Sequence, residues 1–272
     1  MKIILILAVA TVLSFLGLIT YSSVQKNTAA DEPQKVSMSE ESKAVSATNQ
    51  KSPVLVELFT SEGCSSCPPA DKNLAVLEKQ SSANAEIITL GLHVDYWNNI
   101  GWKDRYSSPL FSQRQEIYGQ KFKIDSIYTP QMIVDGTREF VGSNLDEANK
   151  AVSEAAKMPK AKIELAMAED KLKINISAIP AHENASVFLA VAEDNLSTKV
   201  GGGENGGSTL QHTSVVRQLI PVGRILSTDK NFQTETALQI QPEWKRENLK
   251  FVIFVQENQS RRILGANFLK KV

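Results

Sequence analysis

The stretch Ser61-Glu62-Gly63-Cys64-Ser65-Ser66-Cys67-Pro68-Pro69-Ala70-Asp71 decides how this chain is read. It holds both cysteines of the protein, in a Cys-x-x-Cys pair. Just before it, Val54-Leu55-Val56-Glu57-Leu58-Phe59 is an apolar, β-favouring run that reads as a buried strand. Just after it, Ala70, Leu74 and Leu77 fall at helical spacing. Pro68 and Pro69 suit a first helical turn, where a missing N–H costs little. The pair is therefore expected at a strand-to-helix turn. Cys64 is placed at or just before the helix start, nearer solvent, and Cys67 one turn inside.

A helix start presents unpaired N–H groups and partial positive charge, which favour thiolate over thiol. Thiolate is the attacking species in disulfide exchange, and a thiol two residues on resolves the mixed disulfide. Cys64 is the expected nucleophile and Cys67 the resolving thiol. The other readings are a small structural disulfide or half of a zinc site. With no second Cys pair a zinc site lacks ligands. A staple closing so short a loop removes little unfolded-state entropy.

The chain has 272 residues, with 30 basic side chains balancing 30 acidic ones. That balance gives no reason to expect nucleic acid or a charged membrane surface as partner. Hydrophobic residues make up 42%, enough for a proper core, while two cysteines are too few for a disulfide scaffold. Residues 1–22 open with Met1-Lys2 and an apolar run from Ile3 to Ile19, and read as an export signal or an N-terminal membrane anchor. Either places the Cys pair outside the cytoplasm, periplasmic or secreted, where disulfides persist. Residues 23–52 are polar and lack aromatics, and read as a disordered linker.

Beyond the Cys helix, Glu86-Ile87-Ile88-Thr89-Leu90-Gly91-Leu92-His93 reads as a second buried strand. A polar and aromatic segment follows, then a helix over 107–121 with Ser107 or Ser108 as N-cap and Pro109 in its first turn. Gln131-Met132-Ile133-Val134, the turn Asp135-Gly136 and Glu139-Phe140-Val141 form a hairpin. Asn144-Leu145-Asp146-Glu147 caps a last helix.

The order strand, Cys-helix, strand, helical insert, hairpin, helix resembles the thioredoxin fold, with residues 94–123 as an insertion. In that family a cis proline faces the Cys pair and shapes the substrate groove. The resemblance implies that role for Thr129 and Pro130, with a cis bond between them. Glu57, in the strand leading to the pair, is either a buried acid that shuttles the proton of Cys67 or an ordinary strand residue. His93-Val94-Asp95-Tyr96-Trp97, Gly101-Trp102-Lys103-Asp104, Thr129-Pro130-Gln131-Met132 and Val134-Asp135-Gly136, with the Cys stretch, resemble a narrower family. These are the secreted, thioredoxin-like bacterial proteins catalogued as domain of unknown function 1223. This resemblance implies a fold and an export route and no established reaction.

His93 and Asp95 sit with Tyr96, Trp97, Trp102 and Arg105 around the end of the second strand, where ligands bind in open α/β sheets. They read either as a recognition wall, with His93 supporting a thiolate or joining the thiols on a metal, or as an insert covering the sheet edge. From residue 159 the pattern turns to alternating strands without helices. Residues 53–158 are thus expected to form an α/β thioredoxin-like domain with a helical insertion, and 159–272 an all-β sandwich. Within the latter, Gly201 to Arg217 is glycine-rich without the Gly-Lys-Ser/Thr ending of a phosphate loop. Its Glu204, Asn205, His212 and Arg217 either form a polar site capping the groove of the first domain or satisfy their own loop.

The expected function is an extracytoplasmic thiol–disulfide oxidoreductase. Its partners are a disulfide- or thiol-bearing protein or small molecule and an envelope redox protein. It needs no cofactor and no resident metal. The alternatives are a copper- or metal-binding chaperone-like module and a non-catalytic envelope adaptor with a structural disulfide.

Overall fold

The structure is a computed structural model and describes residues 51–80 and 84–270. The expected signal or anchor, and all of the expected linker except residues 51 and 52, lie outside the described residues. The first half runs β1 (Ser52–Thr60), α1 (Pro68–Lys79), β2 (Ala85–His93), α2 (Pro109–Phe122), β3 (Gln131–Val134), β4 (Arg138–Val141) and α3 (Leu145–Ala155). This is the order read from the sequence. β1 pairs with β2 in parallel and with β3 antiparallel, and β3 pairs with β4. Ser108 caps α2 by accepting from the Leu110 amide, with Pro109 at its start, and Asn144 caps α3 by accepting from the Glu147 amide.

The second half adds β5 (Lys162–Ala168), β6 (Lys171–Ser177), β7 (Ala185–Glu193), β8 (Leu196–Lys199), β9 (Thr209–His212), β10 (Val215–Ile225), β11 (Phe232–Ala237), β12 (Leu249–Glu257) and β13 (Ile263–Lys270). It does not form a separate sandwich. Strands β13, β12, β7 and β10 extend the first-half sheet into one of eight strands, ordered β13-β12-β7-β10-β2-β1-β3-β4. The join is narrow: β10 meets β2 in parallel at Val215 and Gly91, and the Gly91 amide donates to the Ser214 carbonyl at 2.8 Å. A Cβ on residue 91 would stand 3.1 Å from the Thr213 carbonyl oxygen, so glycine lets the strands approach. The result is a mixed α/β fold dominated by one large sheet with few helices. The second β layer is the three-stranded sheet β11-β6-β5.

Alternation distributes the core. In β12, Leu249, Phe251, Ile253 and Val255 meet Ile163, Leu172, Ile174 and Ile176 of the three-stranded sheet. Val252 and Phe254, on the other face, join Phe111 and Tyr118 of α2 and Leu55 and Phe59 of β1. Val54, Val56 and Leu58 of β1 pack with Leu74 and Leu77 of α1 and with Ala148, Ala151 and Val152 of α3. Helix α2 thus buries its face against strands from both halves of the chain.

Candidate functional site

Cys64 and Cys67 form a disulfide with Cα atoms 5.4 Å apart, at the strand-to-helix turn where the sequence places them. β1 ends at Thr60, and the turn closes through the Cys64 amide on the Ser61 carbonyl and the Cys67 amide on the Cys64 carbonyl. Helix α1 starts at Pro68 with Cys67 as its N-cap residue, whose carbonyl accepts from the amides of Ala70 and Asp71. Two expectations are corrected here. Cys67 stands at the helix start rather than a turn inside it, because the two prolines take the first two helical positions. Cys64 is not nearer solvent: both cysteines are 0% exposed, while Ser65 and Ser66 between them are exposed.

The bond between Thr129 and Pro130 is cis, as the resemblance implies, and its loop faces the pair. The Ser66 hydroxyl lies 3.4 Å from the Cys64 sulfur and 3.5 Å from the Thr129 carbonyl oxygen. A disulfide sulfur carries no hydrogen and a carbonyl oxygen only accepts, so the single hydroxyl hydrogen of Ser66 serves one of these two contacts at a time. The loop is anchored by Trp97, whose indole N–H donates to the Thr129 hydroxyl at 2.9 Å, and by the Gly142 amide on the Pro130 carbonyl.

Glu57 is buried but does not serve the thiols. It shares its side of β1 with Leu55 and Phe59, facing α2. There the Arg114 guanidinium grips both its carboxylate oxygens at 2.6 and 3.0 Å, and the Tyr118 hydroxyl donates at 2.6 Å. Arg114 also donates to Gln256 of β12 and lies over the rings of Phe188 and Phe254. Burial, offset only in part by Arg114, pushes the Tyr118 phenol well above its ordinary value. The proton-shuttle reading of Glu57 is replaced by a tie between α2 and the sheet.

His93 does join a buried polar cluster behind the Cys turn. Its Nδ1 pairs with Asp104 Oδ2 at 2.6 Å, and that oxygen also accepts from the Glu62 amide at 2.9 Å. Glu62 in turn meets His212 Nε2 at 3.1 Å and accepts from the Trp102 indole at 2.7 Å. The two imidazole rings meet edge to face with centroids 5.0 Å apart, and Tyr106 packs on both. His212 Nδ1 is buried with no hydrogen-bond partner among the described residues. Burial works against charge at His93, Asp104 and Glu62, but the Asp104 carboxylate outweighs it and raises His93. Asp104 falls below its ordinary value against the same burial, through His93 and the amides of Glu62 and Tyr106. Glu62 falls likewise, through His212. Asp71 of α1 goes the other way: burial raises its carboxyl more than His93 and His212 lower it.

Asp95 stands apart from this cluster. Its carboxylate accepts from the Ser112 hydroxyl at 2.5 Å and its amide donates to the same oxygen, which docks the segment after β2 onto α2. Tyr96 is 41% exposed and donates to Gln115. Glu62, Asp71 and Asp104 were not singled out from sequence, although all three lie in the quoted phrases around the cysteines and Trp102. Among the described residues no group of three or more His, Cys, Asp or Glu is arranged to hold a metal ion.

The glycine-rich loop reaches the Cys turn from the second half. The buried Asn205 amide donates to the carbonyls of Glu62 and Cys64, both at 2.9 Å. Glu204 accepts from the Ser65 amide at 3.1 Å, and its contacts with Ser65 hold its carboxylate below the ordinary value. Arg217 points elsewhere, pairing with Glu193 over the rings of Tyr106 and Trp244.

The family model described as "Protein of unknown function (DUF1223)" matches residues 55–256. The chain belongs to this family. It is similar to the crystal structure of a protein from Agrobacterium tumefaciens, at 25% identity and a TM-score of 0.67, covering 82% of this chain and 96% of that one. It shares its fold with HBP35 of Porphyromonas gingivalis, at 15% identity and a TM-score of 0.57, covering 81% of this chain and 75% of that one. No curated protein matches the chain.

Proposed function

We propose that this DUF1223 protein exchanges thiols and disulfides through Cys64 and Cys67. The observation that carries the reading is the disulfide itself, set at a strand-to-helix turn with Cys67 at the N-cap position of α1 and the Thr129–Pro130 loop across from it. Parallel β1 and β2, the Cys helix between them and the antiparallel β3–β4 hairpin support a thioredoxin-like reading of the first half. The helix N-terminus favours negative charge on sulfur. In the oxidising direction a substrate thiolate attacks Cys64, the Cys64–Cys67 bond breaks, and its electron pair leaves on Cys67. A second substrate thiol then displaces Cys64 and leaves as part of a substrate disulfide, so two electrons pass to the protein. In the reducing direction Cys64 thiolate attacks a substrate disulfide and Cys67 resolves the mixed species. The substrate is a thiol- or disulfide-bearing protein or small molecule.

The working compartment is extracytoplasmic. The disulfide and the apolar Ile3-to-Ile19 segment support that placement. Among the described residues no helix is long and apolar enough to cross a membrane.

The test is trapping. With Cys67→Ser a mixed disulfide accumulates on Cys64, and with Cys64→Ser it does not. Equal trapping by both variants, or by neither, contradicts the assignment. One observation favours a second reading, a non-catalytic adaptor with a structural disulfide: the complete burial of both cysteines. Full biological activity in a Cys64→Ser/Cys67→Ser double variant would establish that reading instead.

A further inference from the structure

Neither sulfur is reachable as the chain stands, since both cysteines are 0% exposed. Exchange needs an incoming sulfur in contact with Cys64, so some neighbour of the turn must move. The Thr129–Pro130 loop is poorly suited to move: it leads directly into β3, inside the eight-stranded sheet, and is pinned by Trp97 and Gly142. Residues 200–208 are differently built. They join β8 and β9, which pair with one another in a two-stranded sheet of their own.

The loop also satisfies much of its own backbone. Val200 and Ser208 are bonded at 2.9 Å, the Gly207 amide donates to the Val200 carbonyl, the Gly206 amide to Gly203, and the Ser208 amide to Asn205. It can therefore swing as a unit without stranding those donors. Its underside is made for close seating. A Cβ on residue 202 would stand 2.6 Å from the Gly101 carbonyl oxygen, and Gly201 lies against the Trp102 ring. What latches it are the Asn205 amide on the carbonyls of Glu62 and Cys64, and Glu204 on the Ser65 amide.

We propose that residues 200–208 are a redox-responsive cover of the Cys64–Cys67 pair, latched by Asn205 and Glu204 while the disulfide is intact and lifted for exchange. This rests on the thiol–disulfide reading above. The coupling lies in one atom. The Cys64 carbonyl oxygen accepts both the Asn205 amide and the Cys67 backbone amide that closes the turn. The disulfide holds the two Cα atoms at 5.4 Å and so fixes that carbonyl in the latch direction. When two electrons and two protons convert the disulfide to two thiols, the turn is freed and the latch loses its fixed acceptor.

The experiment follows reduction of the oxidised full chain by dithiothreitol, whose two thiols become a cyclic disulfide as they supply the electrons. Wild type is compared with Asn205→Ala, which removes the latch donor, and with Gly202→Ala, which props the loop off Gly101 and touches neither carbonyl. Both variants are expected to be reduced at least tenfold faster than wild type. In wild type, amide hydrogen exchange over residues 201–208 is expected to rise at least tenfold on reduction. The cover is overturned if Gly202→Ala is reduced at the wild-type rate, or if wild type is reduced as fast as a short peptide carrying residues 60–72. If the disulfide resists reduction in all three proteins under native conditions, the thiol–disulfide reading itself falls.

Discussion

At the scale of single residues the Cys pair is legible because its spacing and its strand-to-helix setting are local signals, whereas the cis bond before Pro130 follows only from the thioredoxin resemblance. Sequence leaves Glu57 open between two readings because strand parity, which puts it beside Leu55 and Phe59, decides which helix it meets. The buried His93–Asp104 and Glu62–His212 pairs were not legible, since they join residues up to 150 positions apart. They make pH a direct probe. His93 is raised, so its stabilising share is fully present below the unfolded value of ~6.5 and is lost as pH rises through the folded value. Asp104 and Glu62 are lowered, so theirs is present above ~4 and lost as pH falls through their folded values. Stability should therefore decline on both sides of mildly acidic pH. Asp104→Asn should remove the countercharge of His93, cost roughly 3 kcal/mol and abolish the alkaline-side decline. Urea midpoints measured from pH 5 to 9 check this, and an Asn variant that keeps the alkaline slope contradicts it.

At the scale of elements, most helices and strands could be read from period, caps and the Asp135-Gly136 turn. What period does not reveal is that the insert helix α2 serves as a bracket. Arg114 of α2 joins Glu57 of β1 to Gln256 of β12, inside a cluster shared by both halves. Breaking a buried pair by removing one partner leaves a bare charge, whereas removing both does not. Arg114→Met is therefore expected to cost about 3–5 kcal/mol. The double variant Arg114→Met/Glu57→Met should recover most of that loss. Chemical denaturation of the two single variants and the double variant closes the cycle. Strict additivity of the two losses would contradict the bracket.

At the scale of the whole molecule, the sequence suggested a boundary near residue 158 that the sheet crosses. The clue lay in Phe251-Val252-Ile253-Phe254-Val255. An unbroken apolar run marks a strand covered on both faces, whereas the alternating runs of β5 and β6 mark one-faced strands. The join at Gly91 and Val215 could not be read, because a single close approach leaves only a glycine as its sign. Three large clusters and a continuous sheet hold this molecule, and the disulfide closes too short a loop to contribute more than about 2 kcal/mol. The fold should then outlast reduction, as a protein that cycles between dithiol and disulfide requires. The direct measurement is equilibration of the full chain with graded ratios of reduced to oxidised dithiothreitol, with thiols trapped by alkylation and the fold followed by circular dichroism. The account predicts a reversible two-electron transition between folded oxidised and folded reduced forms. A disulfide that opens only when the protein unfolds, or that fails to re-form when the ratio is reversed, would contradict it.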